Sequence, residues 1–257
     1  MSSVAFRLEG RRALITGASG GLGLHFAEAL ARAGAEVVLA ARRADKLASE
    51  VERLRESGLR AHAVSMDVTV AASVQAAVAE AEAKAGGVVD VLVNNAGVSG
   101  EGFFLQVEEE QWDAVVDTNL KGAYLVARAV ARRLVESGTP GSIIHIASIL
   151  GLRVGGGVSP YCASKAGLLH LTRAMAFELA RNSIRVNALA PGYIETDFNR
   201  AFFETDAGRK LVSRIPMRRL GSMQELDGPL LLLASDAGSF MSGSVLEVDG
   251  GHLCSTL

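Results

Sequence analysis

Seven short, β-rich apolar runs punctuate this chain, and stretches of helical period separate them; no other feature restricts the fold so strongly. The runs are residues 13–15, 37–40, 61–65, 91–93, 143–146, 186–189 and 245–248. Between them apolar residues recur at three and four positions, as in the stripe Leu168, Leu171, Met175 and Leu179. A strand followed by a helix, repeated, folds as a parallel sheet covered on both faces. Right-handed crossovers then make the expected architecture α/β: a doubly wound, Rossmann-type sheet of about seven strands with helices on both faces. At 257 residues, 49% hydrophobic and 21% charged, the chain has enough apolar surface for one sizeable core. No linker, repeat or low-complexity segment divides it, so a single domain over residues 1–257 is expected. Only residues 197–220 break the rhythm, and they read as a lid inserted over the site.

Composition excludes several function classes. A net charge of −2 argues against nucleic acid as a partner. No apolar run reaches the length needed to cross a bilayer. The two cysteines, Cys162 and Cys254, form neither a disulfide framework nor a zinc pattern. With no signal-peptide pattern at the start, the expectation is a cytoplasmic protein in a reducing compartment, with no metal.

The first run leads into Thr16-Gly17-Ala18-Ser19-Gly20-Gly21-Leu22-Gly23. Glycines between a strand and a helix let the backbone turn tightly and approach a pyrophosphate, whose charge meets the positive end of the helix. Gly17, Ser19, Gly20, Gly21, Leu22 and Gly23 are therefore candidate dinucleotide-binding residues, although a plain strand–helix turn has the same look. The second strand ends Ala40-Ala41-Arg42-Arg43. An NAD site places an acid about here, for the ribose hydroxyls. Ala41 cannot serve, whereas Arg42 can neutralise a 2′-phosphate. NADP(H) is favoured and NAD(H) remains possible; the plainer alternative is two solvated arginines at a helix start.

Tyr161 and Lys165 stand four positions apart, one turn along a helix face. An ammonium beside a phenol favours the phenolate and lowers its pKa, which suits proton transfer near neutral pH. Ser148 closes the fifth strand, where an open α/β sheet places its ligands, and its hydroxyl can donate to a carbonyl oxygen as charge develops there. Asn119 sits mid-helix, an unfavourable place for asparagine. His145 has no partners for a catalytic role and reads as structural.

In this order the motifs resemble the short-chain dehydrogenase/reductase superfamily, in its 3-oxoacyl-reductase-like group, over almost the whole chain. The resemblance implies hydride exchange between a nicotinamide cofactor and a small carbonyl or alcohol substrate. It makes Ser148, Tyr161, Lys165 and Asn119 the catalytic set, with Tyr161 as general acid and base. Lys165 would bond the nicotinamide ribose, and Asn119 would hold a relay water. Asp67 and Val68 would hold the adenine. Asn95, Ala96 and Gly97 would shape the groove, and Pro191, Gly192, Ile194 and Thr196 would meet the nicotinamide end. It also implies a homotetramer or homodimer, for which Ala163, Ala166 and Gly167 permit close helix packing. One departure weakens the NADP reading: Gly20 stands where many NADP-dependent members carry a base. The alternative is a nicotinamide-nucleotide-binding regulator that does no chemistry, which would have no need of the four catalytic residues.

In the lid, Phe198, Phe202 and Phe203 make a candidate pocket wall. Arg200, Arg209, Lys210, Arg214, Arg218 and Arg219 outnumber Asp197, Glu204 and Asp206. Such a surplus attracts acidic substrates or carriers, although a solvated helix face is the plainer reading. Arg153 is a further pocket candidate, and Gly155-Gly156-Gly157 a mobile entrance loop.

Overall fold

The computed structural model describes residues 6–196 and 199–254. Phe198 and Asp197 of the lid lie outside that range. Seven strands form one parallel sheet: β1 (Arg12–Thr16), β2 (Glu36–Ala41), β3 (Ala61–Ser65), β4 (Val91–Asn94), β5 (Gly141–Ile146), β6 (Ile184–Pro191) and β7 (Val245–Val248). Their order is β3-β2-β1-β4-β5-β6-β7. All seven coincide with runs expected from the sequence, extended by up to a few residues. The order reverses between β1 and β4, which opens a crevice at the carboxyl ends of those strands.

Helices α1 (Gly21–Arg32), α2 (Ala44–Glu56) and α9 (Asp227–Ala234) cover one face of the sheet. Helices α3 (Ala71–Ala85), α5 (Ala123–Ser137) and α6 (Ser159–Leu179) cover the other. Strand side chains divide between the two layers with period two. Ala13 and Ile15 of β1 join the first core and Leu14 the second. Near-continuous apolar strands are what a sheet buried on both faces requires.

The stripe expected on α6 is displaced. Leu168, Leu169, Thr172 and Ala176 are buried, while Leu171, Met175 and Leu179 are half-buried and line a groove against α5. The helix turns its Leu168–Thr172–Ala176 row to the sheet, so the larger row lies on its flank. Gly167 is needed within the subunit, since a Cβ there would stand 3.0 Å from Leu120. The lid folds as α7 (Arg200–Phe203) and α8 (Asp206–Val212). Between α4 (Glu109–Val116) and α5 the helix widens to a π turn over Asp117–Gly122, which contains Asn119. Such π segments are common at functional sites.

Candidate active site

Every strand from β1 to β6 delivers site residues at its carboxyl end. The glycine turn follows β1. Arg42 follows β2, Asp67 and Val68 follow β3, Asn95 to Gly97 follow β4, Ser148 follows β5, and Pro191 to Thr196 close and follow β6. The edge of a parallel sheet thus gathers residues up to 179 positions apart in sequence, as Gly17 and Thr196 are.

The glycines of the turn divide into two jobs. A Cβ on Gly23 would stand 2.5 Å from the Gly17 carbonyl oxygen and 2.6 Å from Asn95 Nδ2, so this glycine permits helix–strand packing. A Cβ on Gly17 would lie 2.9 Å from Ala96 Cα. Gly20 and Gly21 face open space, and Gly21 holds a left-handed φ of 55°. No side chain caps α1, and its first turn carries no acid. The N–H groups of that turn therefore face an open cradle suited to an anion. Thr16, unassigned in the sequence reading, ties the crevice together: its hydroxyl accepts the N–H groups of Asn95 and Ala96, both at 3.0 Å. Its burial within a strand end is the only signal it left.

At the β2 end the two arginines take different partners. Arg43, not Arg42, donates to Ser19 Oγ at 3.0 Å and so reaches the glycine turn. Arg42 is exposed and acts on Asp67, whose pKa is lowered chiefly by the Thr69 hydroxyl and amide and to a lesser degree by Arg42. Asp67 itself accepts from both Thr69 groups, at 2.7 and 2.9 Å. Val68 packs on Gly122, where a Cβ would sit 2.8 Å from its methyl. On the far side, Gly192 donates its N–H to Val248 at 2.9 Å, and Ile194 is buried against Gly221. The Thr196 N–H donates to Asn199 Oδ1 at 2.8 Å.

Ser148, Tyr161 and Lys165 are brought together. Ser148 Oγ accepts from the Leu150 N–H at 3.1 Å, so it caps a short 3-10 turn. The same hydroxyl acts on the Tyr161 phenol and opposes the rise of its pKa. Lys165 is buried, with Nζ 2.8 Å from the Ile146 carbonyl oxygen and 5.6 Å from the Tyr161 ring centroid. The expected depression of the tyrosine pKa by the lysine is not found. Burial raises the Tyr161 pKa above its ordinary value, and Lys165 is not among the groups that act on it. The ammonium is turned to the Ile146 carbonyl, and burial lowers its own pKa to about 8.

The Asn119 amide links three elements. Its Oδ1 accepts from Val98 N at 2.8 Å, and Nδ2 donates to Val98 O at 2.9 Å and Ser164 Oγ at 3.1 Å. Ser164, which the sequence reading passed over, donates to Tyr161 O at 2.8 Å and links the tyrosine's turn to the π segment. His145 is fully buried, with a pKa lowered to about 3 by burial and then by Lys165, consistent with a structural group.

A cavity of about 1470 Å³ begins at Ile149 and Leu150, the two residues that follow Ser148. Ile149, Leu150, the Gly155–Gly157 loop, Phe202, Tyr193 and His252 are among its walls. Tyr193 and His252 had no role in the sequence reading. Their ring centroids are 5.6 Å apart, and Tyr193 also meets Phe203 at 6.0 Å. The glycine loop is joined to the opposite wall by the Gly102 N–H, which donates to Gly157 O at 2.9 Å.

A family model described as enoyl-(acyl carrier protein) reductase matches residues 17–252. The chain belongs to the short-chain dehydrogenase/reductase superfamily. It is 39% identical to gluconate 5-dehydrogenase of Gluconobacter oxydans, over 96% of each chain. It is 36% identical to the 3-oxoacyl-[acyl-carrier-protein] reductase FabG of Escherichia coli, over 95% of this chain and 97% of that one. A gluconate 5-dehydrogenase from Burkholderia cenocepacia, solved with NADP and tartrate, superposes with a TM-score of 0.94 at 41% identity, covering 98% of both chains. As a short-chain dehydrogenase/reductase, the protein is a nicotinamide-dependent oxidoreductase that interconverts a ketone and a secondary alcohol. Among the described residues no helix is long and apolar enough to cross a membrane.

Proposed function

We propose that the protein is an NADP(H)-preferring reductase of small hydroxylated keto acids, acting through Ser148, Tyr161 and Lys165. The observation that carries this reading is the meeting of those three residues beside an open glycine cradle and a deep cavity. The cradle fits a dinucleotide: the Gly20 and Gly21 positions leave room for phosphates that a Cβ would take, and the first turn of α1 presents uncapped N–H donors. Bound there, the cofactor supplies the hydride. The Ser148 hydroxyl donates to the carbonyl oxygen of the substrate, and Tyr161 gives that oxygen its proton as negative charge develops. A pKa held up by burial keeps Tyr161 in the protonated form that reduction consumes. Lys165 stands beneath the phenol as the cation nearest the reacting groups, and Asn119 with Ser164 fixes the turn that carries Tyr161. In this reading residues 1–257 act as one catalytic unit with residues 197–220 as its lid. A regulator without chemistry would not need a buried lysine beside the tyrosine.

Sugar acids are favoured as substrates because gluconate dehydrogenases recur among the relatives and because the cavity is polar as well as apolar. The NADP(H) preference rests on Arg43, which bonds the turn through Ser19, and on Arg42 beside it. Charge-assisted bonds to a 2′-phosphate predict a loss with either arginine. In a comparison of kcat/KM with NADPH and NADH, Arg43→Ala is expected to reduce the NADPH:NADH ratio by about 10-fold or more, and the double variant with Arg42→Ala further. An unchanged ratio in the double variant rejects this pair as the discriminator.

A homotetramer or homodimer is part of the same proposal. The groove between α5 and α6 is lined by Leu171, Met175 and the exposed Val135, and α6 also carries Phe177, which is 87% exposed. Light scattering that gives a monomer at working concentration would remove it. A cytoplasmic location rests on two cysteines that both stay unpaired.

A further inference from the structure

The lid cations fall into two groups. Arg200 pairs with Glu195 at 2.8 Å, Arg209 with Asp206 at 2.6 Å, and Arg219 with Glu225 at 2.7 Å. These three lie within solvated ion pairs and answer to the plainer sequence reading. Arg214 differs. It follows α8, lines the cavity, and among the described residues has no carboxylate within ion-pair distance. Arg153 lines the same cavity from the β5–α6 connection, one 3-10 turn beyond Ser148, and donates from Nη1 to the His252 carbonyl oxygen at 3.1 Å.

These elements converge. His252 lies within electrostatic reach of both guanidinium groups; its pKa is lowered by burial first, opposed by Asp249, and lowered further by Arg153 and Arg214. Asp249 does not line the cavity, and its two oxygens accept the N–H groups of Gly251 at 2.8 Å and Leu253 at 2.7 Å. Arg218 adds a third guanidinium to the lining and donates to the Ser213 carbonyl oxygen. Among the described lining residues the one carboxylate is Glu101, on the loop joined to Gly157. The lining therefore carries more cations than anions.

We infer that Arg214, with Arg153 in the lining of the same cavity, binds the carboxylate of the substrate and so makes this enzyme specific for keto acids over uncharged ketones. The inference rests on the reading of this cavity as the substrate pocket. A planar fork of N–H donors matches two carboxylate oxygens, which a lysine cannot reproduce. Arg153 shares its connection with Ser148, so an acid held there stands at a set separation from the carbonyl that Ser148 polarises. Arg214 belongs to the lid, so the same contact draws the lid to the substrate's charged end. A neutral ketose gains neither contact.

Two measurements on Arg214→Met decide the matter. In the first, tartrate, as a hydroxylated dicarboxylate probe, is titrated into the NADP⁺-loaded enzyme by calorimetry. The variant is expected to bind it at least 10-fold more weakly, Arg214→Lys to recover part of the loss, and the Kd for NADP⁺ to stay within twofold. In the second, kcat/KM is compared for 5-keto-D-gluconate and for L-sorbose, an uncharged ketose of equal carbon number. The acid-to-ketose ratio is expected to fall about 30-fold, carried by KM. Tartrate binding that is absent in the wild type, or equal in wild type and variant, overturns the inference, as does an equal loss on both ketones. Failure of the wild type to reduce any ketone would instead remove the underlying functional reading, while the tartrate titration would still judge the anion site by itself.

Discussion

Tyr161→Phe is expected to lower kcat for ketone reduction by about 10³-fold, within the range a positioned general acid supplies. The phenol is the proposed proton donor, and the benzyl side chain keeps its packing while removing that proton. Because among the described residues no structural bond depends on the phenol oxygen, the melting temperature should change little. NADPH should bind with an affinity within about threefold of the parent, since Lys165 and the glycine turn are untouched. The measurement is the decay of NADPH absorbance at saturating ketone, with cofactor affinity from fluorescence titration. A folded variant that turns over at the parental rate would refute Tyr161 as the proton donor. A variant that loses cofactor affinity and rate together would show a binding role instead.

The second large effect concerns stability rather than rate. Lys165 is buried, and its pKa falls from an ordinary 10.5 to about 8. Between those values the unfolded chain binds more protons than the folded one, so stability rises with pH across this window. Below pH 8 the folded protein carries the full cost of a desolvated ammonium, about 3 kcal/mol for the cited shift. By pH 9.5 roughly 2 kcal/mol of that cost is relieved. Lys165→Met has no such group. The stability of wild type minus that of Lys165→Met, from denaturant unfolding without cofactor, is therefore expected to increase by about 2 kcal/mol from pH 7 to 9.5. His145 remains neutral over this window in both folded and unfolded chains, so it does not distort the difference. A flat difference would show that Lys165 is well solvated in the unliganded enzyme.

The same lysine marks the limit of local reasoning. A Tyr and a Lys at four-residue spacing are neighbours on any helix. Whether the ammonium faces the phenol oxygen or a carbonyl behind it depends on β5, which brings Ile146 within 2.8 Å. The spacing suggested a depressed tyrosine pKa, and burial from elements distant in sequence reversed its sign. Arg42 and Arg43 illustrate the point a second time. Two adjacent arginines at a strand end are equivalent in sequence, and only the position of Ser19 across the turn decides that Arg43 is the one to bond it. Asn119 looked out of place within a helix, and it is: the helix widens there, and the amide serves Val98 and Ser164.

Periodicity and turn chemistry by themselves determined the layers. Strand runs buried on both faces, separated by helical stretches, admit few arrangements, because apolar surface must be covered and crossovers share one hand. The glycine turn, the Tyr161–Lys165 pair and Ser148 were legible because each depends on local geometry along a strand end or a helix turn. Tertiary structure alone decided the direction of each charged group, the sorting of the lid arginines into paired and cavity-lining, and the entry of Tyr193 and His252 into the pocket wall. Those outcomes depend on which elements meet at the carboxyl edge of the sheet. Electrostatic and desolvation energies act through space over a few ångströms, and distance along the chain carries no record of them.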